Sequence, residues 1–134
     1  MIFEVKGDLN LLISQVNAHP ERSEQVVLVL DPGAGPQVLT REEACSLLPN
    51  PCEPFGCIED FAVEGLALYY RPDQVVRLKG RTYLVGQAAV CREDEDGNRW
   101  SLTGRDICQV MGYAREHGTL LCVDRQKIPV LPLE

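Results

Sequence analysis

Histidine is scarce in this chain: 134 residues contain two, His19 and His117. Chemistry that relies on imidazole as base, shuttle or metal ligand has few places to occur. Aromatic residues make up only 6%, with a single tryptophan, Trp100. Apolar runs are short. The longest, near Val26 to Leu30, is far below the ~20 residues of a membrane-spanning helix. Positive charge is also in deficit: 13 Lys and Arg stand against 20 Asp and Glu, a net −7. That balance argues against direct binding to nucleic-acid phosphates or to an anionic membrane surface, and for solubility. No glycine-rich loop ends in Lys followed by Ser or Thr, and no Gly-x-Ser-x-Gly elbow is present. Gly33-Ala34-Gly35 follows a strand-like run, but Pro36 removes a donor N–H and no helix starts there. The opening residues, Met1-Ile2-Phe3-Glu4-Val5, carry an acid where a secretory leader carries bases, so the expected location is the cytoplasm.

What is present is an ordinary globular composition, 45% apolar and 25% charged, which supports one folded domain over residues 1–134. The clearest local pattern runs from Gly80 to Gly118. A strand is expected from Thr82 to Cys91, an acidic turn from Glu93 to Asn98, and a return strand from Arg99 to Leu102. Thr103 then caps a helix from Gly104 to His117. Ile107, Val110, Met111 and Ala114 form one stripe at helical spacing, Asp106 stands where an acid favours a helix N-terminus, and Gly118 is the stop.

A weaker copy lies upstream. Gln25 to Leu30 reads as a buried strand, residues 31–36 as a turn, and Gln37 to Leu39 as a return. Thr40 and Glu43 then form a capping-box pattern for a helix from Arg41 to Leu48 that Pro49 ends. Leu39-Thr40 through Leu48 aligns with Leu102-Thr103 through Met111. Any capped helix leaving a strand has this look, so repetition and convergence both account for it. Either origin predicts that the two helices pack on the same kind of sheet face. A third helix, Leu9 to Ala18, is expected after a strand at Met1 to Val5. It is capped by Asp8, and Leu9, Leu12, Ile13 and Val16 form its stripe.

Residues 50–56 read as a loop that Cys57 to Phe61 continues. Strands are expected at Ala62 to Tyr70, Gln74 to Leu78 and Thr119 to Val123. Ile128 to Leu131 is expected as an edge strand, because Pro129 and Pro132 cannot donate to a ladder. Together these elements predict an α+β fold: a mostly antiparallel, curved sheet with three short helices, and two related strand-turn-strand-helix units.

Six cysteines occur, and outside a secreted context an even count does not imply disulfides. Cys91, Cys108 and Cys122 sit in apolar patterns. Cys52 and Cys57, with Cys45 upstream, form the one loop-based thiol group. No second pair and no nearby histidine completes a zinc set, so neither metal nor cofactor is expected. The Glu93 to Asp96 turn lacks the spaced ligands of a calcium loop and reads as a solvated hairpin tip. Both histidines fall at helix ends, where they serve as caps. No catalytic residue is therefore assigned. The candidates for binding are Trp100, as an anchor beside a charged turn, and the thiols Cys52 and Cys57.

Gly80-Arg81-Thr82-Tyr83-Leu84-Val85-Gly86, followed by Ser101-Leu102-Thr103, resembles the C-terminal half of a family of uncharacterised proteins. That family is encoded by phages and mobile elements of Gram-positive bacteria. The resemblance implies an accessory protein of a mobile element and carries no mechanism. The reading that follows is a small, soluble, non-enzymatic interaction or regulatory protein with a protein partner or a second copy of itself. Self-association would use the edge at Ile128 to Leu133. Two other classes compete with it: an enzyme or ligand-binding module using the Cys52 to Cys57 loop, and an acidic nucleic-acid mimic.

Overall fold

The computed structural model describes residues 26–94, 96, 99–100 and 102–133, with backbone alone for Arg99, Trp100 and Val123. The strand at Met1 to Val5 and the helix at Leu9 to Ala18 lie outside these residues. Within them the fold is mixed α and β, with every strand pairing antiparallel.

The larger sheet is built on β1 (Val26–Leu30) and β7 (Ala88–Glu93). Neither follows an in-out alternation. All five residues of β1 are buried, as are Ala88 through Cys91, because both faces of the sheet are covered. β2 (Gln37–Thr40) flanks β1. β4 (Leu66–Tyr70) and then β3 (Gly56–Glu59) flank β7. The short β8 (Arg99–Trp100) pairs with the far end of β7. Since β4 holds the other edge of β7, β8 continues the line of β1, and Leu102 N–H donates to the Val26 carbonyl at 3.2 Å.

The smaller sheet joins two hairpins. One is β5 (Val75–Leu78) with β6 (Arg81–Leu84); the other is β9 (Thr119–Val123) with β10 (Gln126–Pro132). Its order is β5-β6-β10-β9, because Leu131 and Pro132 pair with Leu84 and Tyr83. The expected edge at Ile128 to Leu131 is thus corrected. β10 lies between two strands, and Pro129 is tolerated because it pairs with β9 alone, β6 reaching only Leu131 and Pro132.

The single strand expected from Thr82 to Cys91 is two strands in different sheets. The break falls at Val85-Gly86-Gln87, and Gln74 holds it. The Gln74 carbonyl accepts from Val85 N–H at 2.9 Å and Gly86 N–H at 3.1 Å, and its side-chain Oε1 accepts from Gln87 N–H at 2.8 Å. A Cβ on Gly86 would stand 2.0 Å from that Oε1, so only glycine lets Gln74 approach. Two further boundaries differ. β3 occupies part of the expected loop, and the strand expected from Ala62 begins at Leu66, after a turn in which Ala62 takes φ 64 and Gly65 φ 92.

One α-helix, α1 (Gly104–His117), is present among the described residues. Its capping box is complete: Asp106 N–H donates to Thr103 Oγ1 at 3.2 Å, and Thr103 N–H donates to Asp106 Oδ2 at 2.9 Å. Ile107, Val110, Met111 and Ala114 are buried against one face of the large sheet. Leu84, Leu131 and Leu133 of the small sheet close the same core, with Leu28, Leu30, Leu66 and Leu68 at its centre. Tyr113 Oη donates to the Pro132 carbonyl at 3.0 Å and ties α1 to β10.

The helix expected from Arg41 to Leu48 is a turn followed by a 3₁₀ turn, Cys45–Leu47. Its capping box does form: Thr40 N–H donates to Glu43 Oε1 at 2.9 Å, and Glu43 N–H donates to Thr40 Oγ1 at 3.2 Å. Eight residues are too few for a helix to propagate unaided. Pro49 also drives Leu48 into extended backbone, φ −95 and ψ 155. The expectation of a shared sheet face is overturned too. Ala44 and Leu48 pack with Val27, Val29, Ala67, Tyr69, Ala89 and Cys91 on the face opposite α1. The leucine before each capping threonine decides this, since Leu39 faces that second cluster and Leu102 faces the first.

The N-terminus of α1 is fixed by charge. The Asp106 carboxylate is buried and accepts from Arg92 of β7 through both Nε, at 3.0 Å, and Nη2. Burial pushes the Asp106 carboxyl upward, but the Arg92 and Thr103 hydrogen bonds outweigh it and hold the group below the ordinary carboxylate range. A depressed folded-state pKa stabilises fully above the unfolded value and is lost as pH falls through the folded one. Replacing Asp106 by Ala should cost about 2 kcal/mol at neutral pH, the sum of a lost cap and a half-exposed ion pair. Urea unfolding of both proteins from pH 7 down to pH 2 should show that gap closing below pH 4; a gap independent of pH would contradict the assignment.

Candidate functional site

Where β5 and β6 overhang β3 and β4, the two sheets leave a groove of about 370 Å³. Its floor comes from a cross-strand pair. Gly56 lies opposite Tyr70, and the Tyr70 ring covers the glycine so closely that a Cβ there would be 2.1 Å from the ring. Phe55 and Val75 form apolar walls, Pro72 closes one end, and Thr82 and Arg77, a cross-strand pair on β6 and β5, line the opposite side.

Pro72 also borders an adjoining hollow of about 280 Å³ lined by Glu53, Pro54, Arg71 and Asp73. Arg71 connects the two. Its guanidinium carbon stands 5.5 Å from the centroid of Phe55, and its Nη2 pairs with Glu53. Its Nε is buried with no hydrogen-bond partner among the described residues. A buried donor without an acceptor carries a desolvation cost that an incoming acceptor would relieve. The arrangement therefore offers an apolar slot lined by Phe55, Tyr70 and Val75, with Arg77 in its lining and Arg71 in the adjoining hollow. It does not bring together a nucleophile and a base.

The sequence-based candidates lie elsewhere. Cys52 is exposed in the loop before β3, its N–H donating to Asn50 Oδ1 at 2.9 Å. Cys57 is exposed on β3 itself, facing away from α1, because its neighbour Ile58 packs on the helix side. His117 is on that helix side, its ring 4.4 Å from Tyr113, so the sheet separates this imidazole from the Cys57 thiol. His19 and the side chain of Trp100 lie outside the described residues.

Carboxylates gather at the opposite end of β4, where Glu59, Asp60, Glu93 and Asp94 border a hollow of about 210 Å³. Asp60 accepts from Gly65 N–H at 3.0 Å and Glu93 accepts from the Tyr69 hydroxyl. These contacts hold the turn before β4. Among the described residues no three of His, Cys, Asp or Glu are grouped to hold a metal ion.

No protein-family model, curated protein or solved structure matches this chain. The groove must therefore be read from its own chemistry. Sequence reasoning missed it because its parts come from three separate stretches, residues 53–56, 70–77 and 82. One signal was available: residues 71–81 carry Arg71, Arg77, Lys79 and Arg81 against the lone Asp73, a basic stretch in a chain of net charge −7. No helix among the described residues is long and apolar enough to cross a membrane.

The cysteines provide a check on this placement. None of the six is in a disulfide, five are exposed, and Cys91 is buried. A thiol reagent in native buffer should label Cys45, Cys52, Cys57, Cys108 and Cys122 rapidly and Cys91 only at the rate of unfolding. Fast labelling of Cys91 would contradict the buried β7 core.

Proposed function

We propose that this chain is a small, non-enzymatic interaction protein whose contact surface is the groove between the sheets. The observation that carries the reading is a groove lined by Phe55, Tyr70 and Val75 that also carries Arg77, with Arg71 in the adjoining hollow and beside the Phe55 ring. An apolar side chain of a partner would enter the slot, and flanking carboxylates would meet the arginines. The natural occupant is an acidic peptide segment with one aliphatic or aromatic anchor. Such a segment would also supply the acceptor that Arg71 Nε lacks. With the resemblance at Gly80–Gly86 and Ser101–Thr103, the reading we propose is a regulatory accessory protein of a bacterial mobile element, acting in the cytoplasm.

The test uses fluorescein-labelled nine-residue peptides with a central Leu or Phe, flanked by either Glu or Lys, in anisotropy titrations at physiological salt. The Glu series should bind at least ~10-fold more tightly than the Lys series, which corresponds to about 1.4 kcal/mol. Arg77→Glu should abolish that preference while leaving the unfolding midpoint unchanged, since Arg77 is exposed. Equal binding of the two series, or a preference that survives Arg77→Glu, would dismiss the groove as the recognition surface.

A further inference from the structure

Arg71 is only half matched by its own chain. Gly56 and Tyr70 pair across β3 and β4, and one position further along the same register Phe55 stands opposite Arg71. Pro72 follows Arg71 and keeps its backbone extended, φ −88 and ψ 149. The guanidinium comes to the Phe55 ring, at the border of the hollow beside the groove. An arginine presents Nε and one Nη as a fork that fits a carboxylate with two parallel hydrogen bonds. Arg92 uses that fork on Asp106. Arg71 does not: Glu53 meets Nη2, and Nε stays buried with no hydrogen-bond partner among the described residues. The pair is also loosely held. The Glu53 side chain is 44% exposed and that of Arg71 30%, so water screens their attraction.

We propose that Glu53 is a resident stand-in for the carboxylate of a bound segment: it occupies Arg71 in the free protein and is displaced by an acid of the partner. The identity of that partner rests on the acidic-peptide reading of the groove, whereas the exchange belongs to Arg71 and Glu53 themselves. A one-point, half-exposed ion pair is given up and a two-point one is gained. Release of Glu53 to solvent frees Arg71 to turn Nε toward the incoming acid, which relieves the donor that Glu53 leaves unmatched. The exchange sets selectivity. A segment with an apolar anchor and no acid leaves Glu53 in place and gains nothing from Arg71. A segment whose acid cannot reach the hollow from the slot fares the same. Glu53 thereby converts Arg71 from a general attraction for anions into a requirement for an acid at one distance from the anchor.

The test uses 3-phenylpropanoate, with a ring for the slot and a carboxylate for Arg71, and its neutral amide as the counterpart. Binding to the full chain is followed by the Nε–H signal of Arg71 in proton–nitrogen correlation spectra, assigned by its loss in Arg71→Lys. Glu53→Gln should tighten binding of the carboxylate by at least ~3-fold, within the range of a partly exposed ion pair, and leave the amide unchanged. Glu59→Gln makes the same charge change outside the groove and should not reproduce the gain. Equal affinity of the natural chain and Glu53→Gln would overturn the proposal. So would an Arg71 signal that the carboxylate moves in neither protein, or an equal gain in Glu59→Gln, which would reduce the effect to net charge. Peptides with Glu and Lys flanks that bind alike, beside a gain in Glu53→Gln, would strike the peptide reading and leave the exchange standing. An acidic-peptide preference without that gain would strike the exchange alone.

Discussion

Arg92 reaches from β7 into the first turn of α1 and grips the carboxylate of Asp106 with two nitrogens. The same carboxylate caps Thr103 N–H, so one buried group both begins the helix and fastens it to the sheet. Its place matters because β7 is the strand that β1, β4 and β8 all share. A helix fixed to β7 is fixed to the whole large sheet. In energy the pair is modest: a single fully buried leucine contributes roughly 2 kcal/mol, and the core contains several, among them Leu28, Leu30, Leu66 and Leu68. The core supplies stability and the ion pair supplies position, since an apolar stripe alone can slide or rotate on a sheet while a two-point hydrogen bond cannot.

Position then propagates. With α1 seated, Tyr113 reaches the Pro132 carbonyl and draws β10 over the same sheet face. β10 carries β6 and β5 with it through Leu84 and Tyr83. Gln74 then returns the chain from the small sheet to the large one over three residues. The overhang left by that return is the groove. Its basic rim and the acidic hollow at Glu59, Asp60, Glu93 and Asp94 lie at opposite ends of β4, so the strand separates charges that the sequence interleaves.

Local signals were legible where they agreed with tertiary demands. Thr103, the Ile107 to Ala114 stripe and Gly118 predicted α1 to the residue, because cap, periodicity and stop all point the same way. Thr40 and Glu43 predicted a capping box that formed and a helix that did not, because Pro49 acts on Leu48 and a cap alone cannot propagate a helix. The run from Thr82 to Cys91 looked continuous because Val85-Gly86-Gln87 contains no turn dipeptide. The break depends on Gln74, a contact across the chain that no local window contains. The groove was hidden for the same reason, as Gly56 and Tyr70 meet only through strand register. The loop thiols Cys52 and Cys57 are grouped in sequence, and the fold does not convert that grouping into a pair with His117.

Arg92 and Asp106 act as one unit joining helix to sheet. A double-mutant cycle with Arg92→Leu, Asp106→Ala and the combined variant, measured by urea unfolding at pH 7, addresses it directly. The expected coupling free energy is at least ~1 kcal/mol, with the second substitution costing far less once the first is made. Additive losses, within about 0.3 kcal/mol, would show that the two residues stabilise the fold separately and would contradict the account.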